Sequence, residues 1–431
     1  MLVFVSDLHF DDGTAGEHNV PTAAFEIFLE DISRAANRLL HDGRNVDEIK
    51  IVFLGDIFDL LRTEKWFPFP EAERPWGSNE KKIEAHAKAI LDAIVRKNKD
   101  TFDLLGSELK AKFDFPVEPE RVYVPGNHDR LCNKYVSLRK KVCKNLGIPF
   151  SGVPFTHNYE DVAYGVFARH GHEYDKFNYE GGTSYGYNDY MRVPIGDPIT
   201  TELVARLPWK VMRQPAVKNL PQAEQKALRR NLEEIENVRP YSAILDWLLY
   251  QVKKNLLVKE AIEDSVDEVI GEFNKVKFVK KWYRHHDKWT DFRDEADQIQ
   301  AFLFLLEKFK IFPAERLLPF LELVNKHVEK DSLSEAALNE YSHLDSRIRY
   351  VVYGHSHEPL QMPVRVVATP ESAKDHVYLN TGTWRRRYHK TKQGLGFIGW
   401  KNMTYVVFYR KEEKGLDFPA FATWTGTLKT I

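Results

Sequence analysis

Five short apolar runs in this chain each stop on a polar cluster of the same kind. That recurrence limits the fold more than any other feature. Residues 2–5 run into Ser6-Asp7-Leu8-His9, and residues 51–54 into Gly55-Asp56-Ile57-Phe58-Asp59. Residues 122–124 run through Pro125 into Gly126-Asn127-His128-Asp129. Residues 162–168 run into Arg169-His170-Gly171-His172, and 348–353 into Gly354-His355-Ser356-His357. Short apolar runs bounded by Gly or Pro read as buried strands. In open α/β sheets, sites form where the carboxyl ends of strands gather. One Asp-x-His or His-x-His is an ordinary polar turn. Five in succession, all delivering Asp, Asn or His, point to convergence on one site.

Helical spacing fills the gaps between the early runs. Phe25, Phe28, Leu29, Ile32, Ala36 and Leu39 share a helical face, with Gly43 as a stop signal. Ile83, Ala87, Ile90, Leu91 and Ile94 mark a second helix. This alternation predicts a layered α/β domain. The pattern changes after about residue 175. Residues 178–200 are rich in Gly, Tyr and Asn and read as a long loop. Helix formers then dominate to about residue 344, with helices expected over 222–238, 241–276, 296–312 and 314–329. Strand character returns at 348–353, 364–368, 376–380 and 403–409. The organisation expected is one α/β domain in two parts, 1–175 and 345–431, interrupted by a helical insertion over 176–344 that is placed to cap the site.

Mixed imidazole and carboxylate donors suit manganese, iron, zinc or cobalt better than an all-oxygen cage for magnesium or calcium. Without thiolates a structural zinc site is not expected. The donors outnumber the needs of one ion. Two ions sharing a carboxylate fit better, roughly 3.5–4 Å apart as in other two-metal hydrolases.

The ordered set Asp-x-His, Gly-Asp-x-x-Asp, Gly-Asn-His-Asp, a single His and Gly-His-x-His resembles the calcineurin-like metallophosphoesterase superfamily. The resemblance covers about 1–175 and 345–431. It implies a four-layered α/β sandwich with two central mixed β-sheets. It implies that Asp7, His9 and His357 hold a first metal, that Asn127, His170 and His355 hold a second, and that Asp56 bridges them. It further implies in-line attack on phosphorus by a hydroxide held at the metals, manganese being the first expectation. His128 would contact the phosphate or protonate the leaving oxygen, with Asp59 orienting it. A carboxylate beside an imidazole fixes its tautomer and favours its charged form, which agrees. His170 and His172 compete for the single-His role. The family pattern favours His170, leaving His172 to face substrate. Arg130 could meet a substrate phosphate. Asn380, in the Asn-Thr-Gly-Thr-Trp turn, is expected to pack beneath the site.

The substrate implied is a phosphate-ester small molecule or a nucleotide-like one, cleaved as a monoester or diester. Ser6-Asp7-Leu8-His9, the Gly55–Leu60 stretch, and His170 to Asp175 also resemble, at a distance, bacterial hydrolases of UDP-2,3-diacylglucosamine. That branch implies a pyrophosphatase at the membrane surface as an alternative. A nuclease is another. The chain balances 62 basic against 63 acidic residues, which argues against a dedicated nucleic-acid binder. No run approaches a membrane span, and the N-terminus lacks the pattern of a signal peptide. Two cysteines, Cys132 and Cys143, form no disulfide framework and fit a reducing, cytoplasmic setting. The basic and aromatic stretch Lys280–Trp289 reads either as a phosphate- or base-contacting segment or as an amphipathic helix with its rings turned inward.

Overall fold

Leu2 and Phe4 point to one side of the first strand, Val3 and Val5 to the other, and all four are buried. A strand covered on both faces needs a layer above and a layer below. A computed structural model of the protein supplies both. It describes residues 1–286 and 332–427, apart from His18, Glu108, 240–242, 253–255, 369–372 and Leu395. The helices expected over 296–312 and 314–329 lie outside the described residues.

The first sheet contains β1 (Leu2–Val5), β2 (Lys50–Leu54), β3 (Glu120–Val124), β6 (Val238–Arg239), β10 (Arg386–Lys390), β11 (Phe397–Tyr409) and β12 (Ala420–Thr427). Its order is β3-β2-β1-β11-β10-β6, with β12 also paired to β11. β1, β2 and β3 are parallel, β11 is antiparallel to β1, β10 and β12, and β6 is parallel to β10. The second sheet contains β4 (Asn158–Asp161), β5 (Val166–Arg169), β7 (Tyr350–Tyr353), β8 (Leu360–Ala368) and β9 (Ala373–Asn380), in the order β4-β5-β7-β9-β8. β5, β7 and β9 are parallel, and β4 and β8 are antiparallel edges. Both sheets are therefore mixed.

Three apolar interfaces stack these layers. Leu2, Phe4, Val52, Leu54 and Val124 of the first sheet meet Val166, Ala168, Tyr350, Val352 and Leu379 of the second. On its other face the first sheet packs Val3, Val5, Ile51 and Phe53 against helices α1 (Thr22–His41), α2 (Glu80–Lys97), α3 (Lys99–Gly106) and α4 (Val136–Leu146). The α1 residues are Phe25, Phe28, Leu29, Ile32, Ala36 and Leu39, the helical face read from the sequence. Each of the larger ones contributes about 1.5–3 kcal/mol by leaving water. Gly43, at φ 72, follows the helix end as expected. Beneath the second sheet, Phe167, Val351, Tyr353 and Tyr378 meet Ala336, Ala337 and Tyr341, the first two on a helix over Ser332–Glu340. The result is a four-layered α/β sandwich around two mixed sheets.

A helical insertion interrupts it between β5 and β7, and carries its own core. Leu228 and Leu232 of α5 (Gln222–Glu233), Trp247 of α6 (Ile244–Val252), Ile262, Val266 and Phe273 of α7 (Leu256–Phe273), and Val279 and Trp282 of α8 (Lys277–His286) pack together. Val279 and Trp282 are buried, so α8 turns this part of its apolar side inward. Lys288 and Trp289 lie outside the described residues. Three local expectations give way. The helix expected over 222–238 stops at Glu233, and Val238–Arg239 instead extends the first sheet beside β10. The loop expected over 178–200 holds short helical turns at Tyr187–Tyr190 and Gly196–Pro198. The strand expected over 162–168 is the second half of a β4–β5 hairpin that turns at Gly165.

Candidate metal centre

The loops after β1 and β2 are zipped together. Asp7 N donates to Gly55 O at 3.0 Å, His9 N to Asp56 O at 2.8 Å, and Phe10 N to Ile57 O at 2.8 Å. Asp129 clamps the third loop to the second, since its carboxylate accepts from Ile57 N at 2.9 Å and Gly126 N at 2.6 Å. Across the sheet interface, Gly354 N donates to His170 O at 2.9 Å, and His355 N lies within 3.1–3.2 Å of both Asp7 carboxylate oxygens. Asn380 Nδ2 holds the Gly354 carbonyl at 2.6 Å from beneath, as expected. The backbone thus brings all five strand ends to one point.

The motif glycines are there for space. A Cβ on Gly55 would overlap the His170 ring, one on Gly126 would overlap the Asp56 carboxylate, and one on Gly354 would overlap Asp7 and Ser6. Backbone strain marks the same spot. Among the described residues, five other than glycine have positive φ, namely Asp7, His9, Asp56, His355 and His357, and all five belong to the cluster. Left-handed backbone is held in place by surrounding structure and concentrates at functional sites.

Among the described residues, three donor groups are close enough to hold an ion: Asp7, His9 and His357; His9, Asp56 and His128; and Asp56, His170 and His355. The His170 and His355 rings show which nitrogen is free to coordinate. His170 Nδ1 lies 2.9 Å from Leu54 O, so it carries the proton and the lone pair sits on Nε2. That Nε2 is buried without a hydrogen-bond partner among the described residues and faces Asp56 Oδ2 at 3.2 Å. With the ring neutral both atoms are electron-rich, so at that distance the pair takes a cation between them, either a proton or a metal ion. Burial opposes charge on His170, yet Asp56 and Asp7 push its pKa up to about 10. His355 Nε2 lies 2.9 Å from Asp175 Oδ2, which leaves Nδ1 free to coordinate. A carboxylate on the second ring nitrogen is the usual support of a metal-binding histidine. The Asn127 carbonyl oxygen is also buried without a partner among the described residues. This donor set fits two divalent ions, the arrangement of a metal-dependent hydrolase in general.

His9 Nε2 and His357 Nε2 face each other at 3.0 Å, and His357 Nε2 lies 3.3 Å from Asp7 Oδ1. Burial, against the pull of Asp7, lowers the pKa of His357 to about 4. His128, a member of the second group, is held from its other side by a carboxylate. Its Nδ1 lies 3.0 Å from Asp59 Oδ1, so it is the protonated nitrogen. Burial opposes its charge, but Asp59 and Asp56 hold its pKa well above the usual imidazole range. The same pairing holds Asp59 well below the usual carboxylate range, against the cost of burial.

His172 and Arg130 are beside this centre. The His172 ring lies 5.3 Å from His170 and 6.3 Å from His355, buried against Tyr179 and Tyr190, and burial lowers its pKa to about 3. The Arg130 guanidinium pairs with Asp197 at 2.5 Å.

Sequence reasoning missed five residues that reach the centre. Asp175 stands three positions past His172, and Arg62 three past Asp59, so nearness to a motif was their signal. Arg385 follows the Asn-Thr-Gly-Thr-Trp turn. Glu236 and Arg239 come from the insertion, and nothing local distinguishes them. Among the described residues, no helix is long and apolar enough to cross a membrane. No family model, curated protein or solved structure matches the chain.

Proposed function

We propose that the protein is a phosphoesterase of the calcineurin-like metallophosphoesterase type, cleaving a phosphomonoester or phosphodiester. The observation that carries this reading is the Asp59–His128 pair. It offers a proton beside a centre built from imidazole, carboxylate and amide donors. Asp7, His9 and His357 would hold one divalent ion, Asn127, His170 and His355 the other, and Asp56 would be shared. When bound, the ions would acidify a water and neutralise phosphoryl oxygens, with manganese expected first and iron, zinc or cobalt also suited. The chain's own part is to hold the donors in place and to keep a proton on His128. Asp59 fixes the His128 tautomer so that Nε2 faces outward. That nitrogen is placed to give its proton to a leaving oxygen, a contribution of roughly 10²–10⁴ in rate.

The insertion, over 176–344, acts in this reading as a cap, because Glu236 and Arg239 reach His128 and His357. A cap favours small or nucleotide-like esters over bulky chains. The free, buried Cys132 and Cys143 accord with a reducing, cytoplasmic setting.

The test is hydrolysis of a chromogenic phosphodiester and its matching monoester by chelator-stripped protein, with and without Mn²⁺. Turnover restored by the metal is expected, and the preferred ester defines the substrate class. Two bound ions without turnover of either ester, or of a panel of nucleotides, would overturn the phosphoesterase reading.

A further inference from the structure

Two guanidinium groups and an imidazole of the core surround one carboxylate of the insertion. Glu236 lies in the turn between α5 and β6. Its Oε2 is 2.9 Å from Arg62 Nη1 and 3.3 Å from Arg385 Nη1, and its Oε1 is 3.9 Å from His128 Nε2. Arg62 follows the second motif, His128 belongs to the third, and Arg385 follows the turn after β9. The core therefore builds the cationic pocket, and the insertion fills it.

Arg385 shows that this filling is incomplete. Its side chain is 1% exposed. Its Nε and Nη2 have no hydrogen-bond acceptor among the described residues. Its other acidic neighbour, Asp59 Oδ2, is 3.9 Å away, and Asp59 is already engaged by His128. A guanidinium buried with two bare donors is an array shaped for an oxyanion. One carboxylate has two oxygens, and Oε2 of Glu236 already serves two arginines. A phosphate offers more oxygens to the same donors.

We propose that Arg62, Arg385 and His128 form a phosphate subsite beside the metal centre, and that Glu236 occupies it as an internal stand-in that the ligand displaces. The subsite lies on the His128 side, where the leaving group departs. Resting on the phosphoesterase reading, this assigns substrates whose leaving group carries its own phosphate, such as phosphoanhydrides and nucleoside diphosphate esters.

Two experiments separate the subsite from the activity. In chelator-treated protein, inorganic phosphate binding is measured by calorimetry for wild type and Glu236→Gln, with the His128 ring followed by NMR. The variant keeps the size of a half-buried side chain and removes its charge. It is expected to bind phosphate at least tenfold tighter and to shift the His128 resonance. Unchanged affinity, or tighter binding that leaves His128 unmoved, overturns the subsite whether or not the protein hydrolyses esters. In Mn²⁺-loaded protein, Glu236→Gln is expected to lower KM for a nucleoside diphosphate ester at least fivefold more than KM for a monoester of a neutral alcohol. Equal effects on both esters overturn the leaving-group assignment.

Discussion

Arg239 Nη2 lies 3.0 Å from His357 Nδ1. Arginine only donates, so this ring nitrogen accepts and the His357 proton sits on Nε2, facing His9 Nε2 and Asp7. His355 has the opposite arrangement, with Asp175 accepting from its outer nitrogen. Of the two histidines of one Gly-His-Ser-His turn, one therefore has its inner nitrogen free to accept a cation and the other carries a proton there. For His357 to coordinate through Nε2, its contact with Arg239 must loosen.

Replacing Arg239 should ease that conflict. Arg239→Met is expected to tighten divalent metal binding about tenfold, the lower end of the effect that groups behind a ligand have on affinity. Competition with a metal-sensing chelator reads this directly. Weaker binding in the variant would mean that Arg239 supports the ligand geometry.

Asp56 joins the two halves of the centre. Its Oδ1 accepts from His128 N at 2.9 Å, and its Oδ2 faces His170 Nε2 at 3.2 Å and His9 Nε2 at 3.7 Å. Asp56→Asn keeps an oxygen for the His128 amide but gives up the negative charge. Metal content after dialysis is expected to fall below two ions per chain. Turnover is expected to drop by roughly 10³, the scale of losing a main electrostatic contact. Two ions retained in the variant would remove Asp56 from the shared position.

The proton on His128 depends on Asp59. Because Asp59 and Asp56 hold the His128 pKa up against burial, the acid form persists to higher pH than in a free imidazole. Activity that needs this proton falls as pH rises through that pKa. Asp59→Asn removes the nearer charge, so the alkaline limb of the kcat profile is expected to move to lower pH. His128→Ala should lower kcat by roughly 10²–10⁴ while metal content is kept. An alkaline limb that does not move in Asp59→Asn would assign the proton to another group.

The sequence exposed those parts of the site whose geometry is set within a few residues. A strand end followed by Asp7-Leu8-His9 or His355-Ser356-His357 carries its own strand, glycine and donors. Glu236 and Arg239 could not be read this way. They reach His128 and His357 only because Val238–Arg239 pairs with β10, a contact between segments about 150 residues apart. β10 itself was missed because Arg386-Arg387-Tyr388-His389-Lys390 shows no apolar alternation. It is a strand because β11 and β6 flank it. β12 was missed because it alternates between half-buried and exposed residues on the outer side of β11, where little burial selects apolar side chains.

Acid stability should depend on a histidine outside the candidate donor groups. His157 stacks on Tyr190 at 3.6 Å, and its Nε2 accepts from Asn133 Nδ2 at 3.0 Å. Burial lowers its pKa to about 4. The ordinary imidazole value is about 6.5, so between these limits the unfolded chain takes up a proton that the folded chain refuses. The resulting stability is complete above about pH 6.5 and is lost as pH falls towards 4, at up to roughly 1.4 kcal/mol per pH unit. His157→Phe keeps the stack and cannot titrate. Urea unfolding at pH 7, 6 and 5 is expected to show a shallower loss in the variant, by about 1 kcal/mol per pH unit near pH 5. An unchanged slope would shift the acid sensitivity to His172 and His357, whose pKa values burial also lowers.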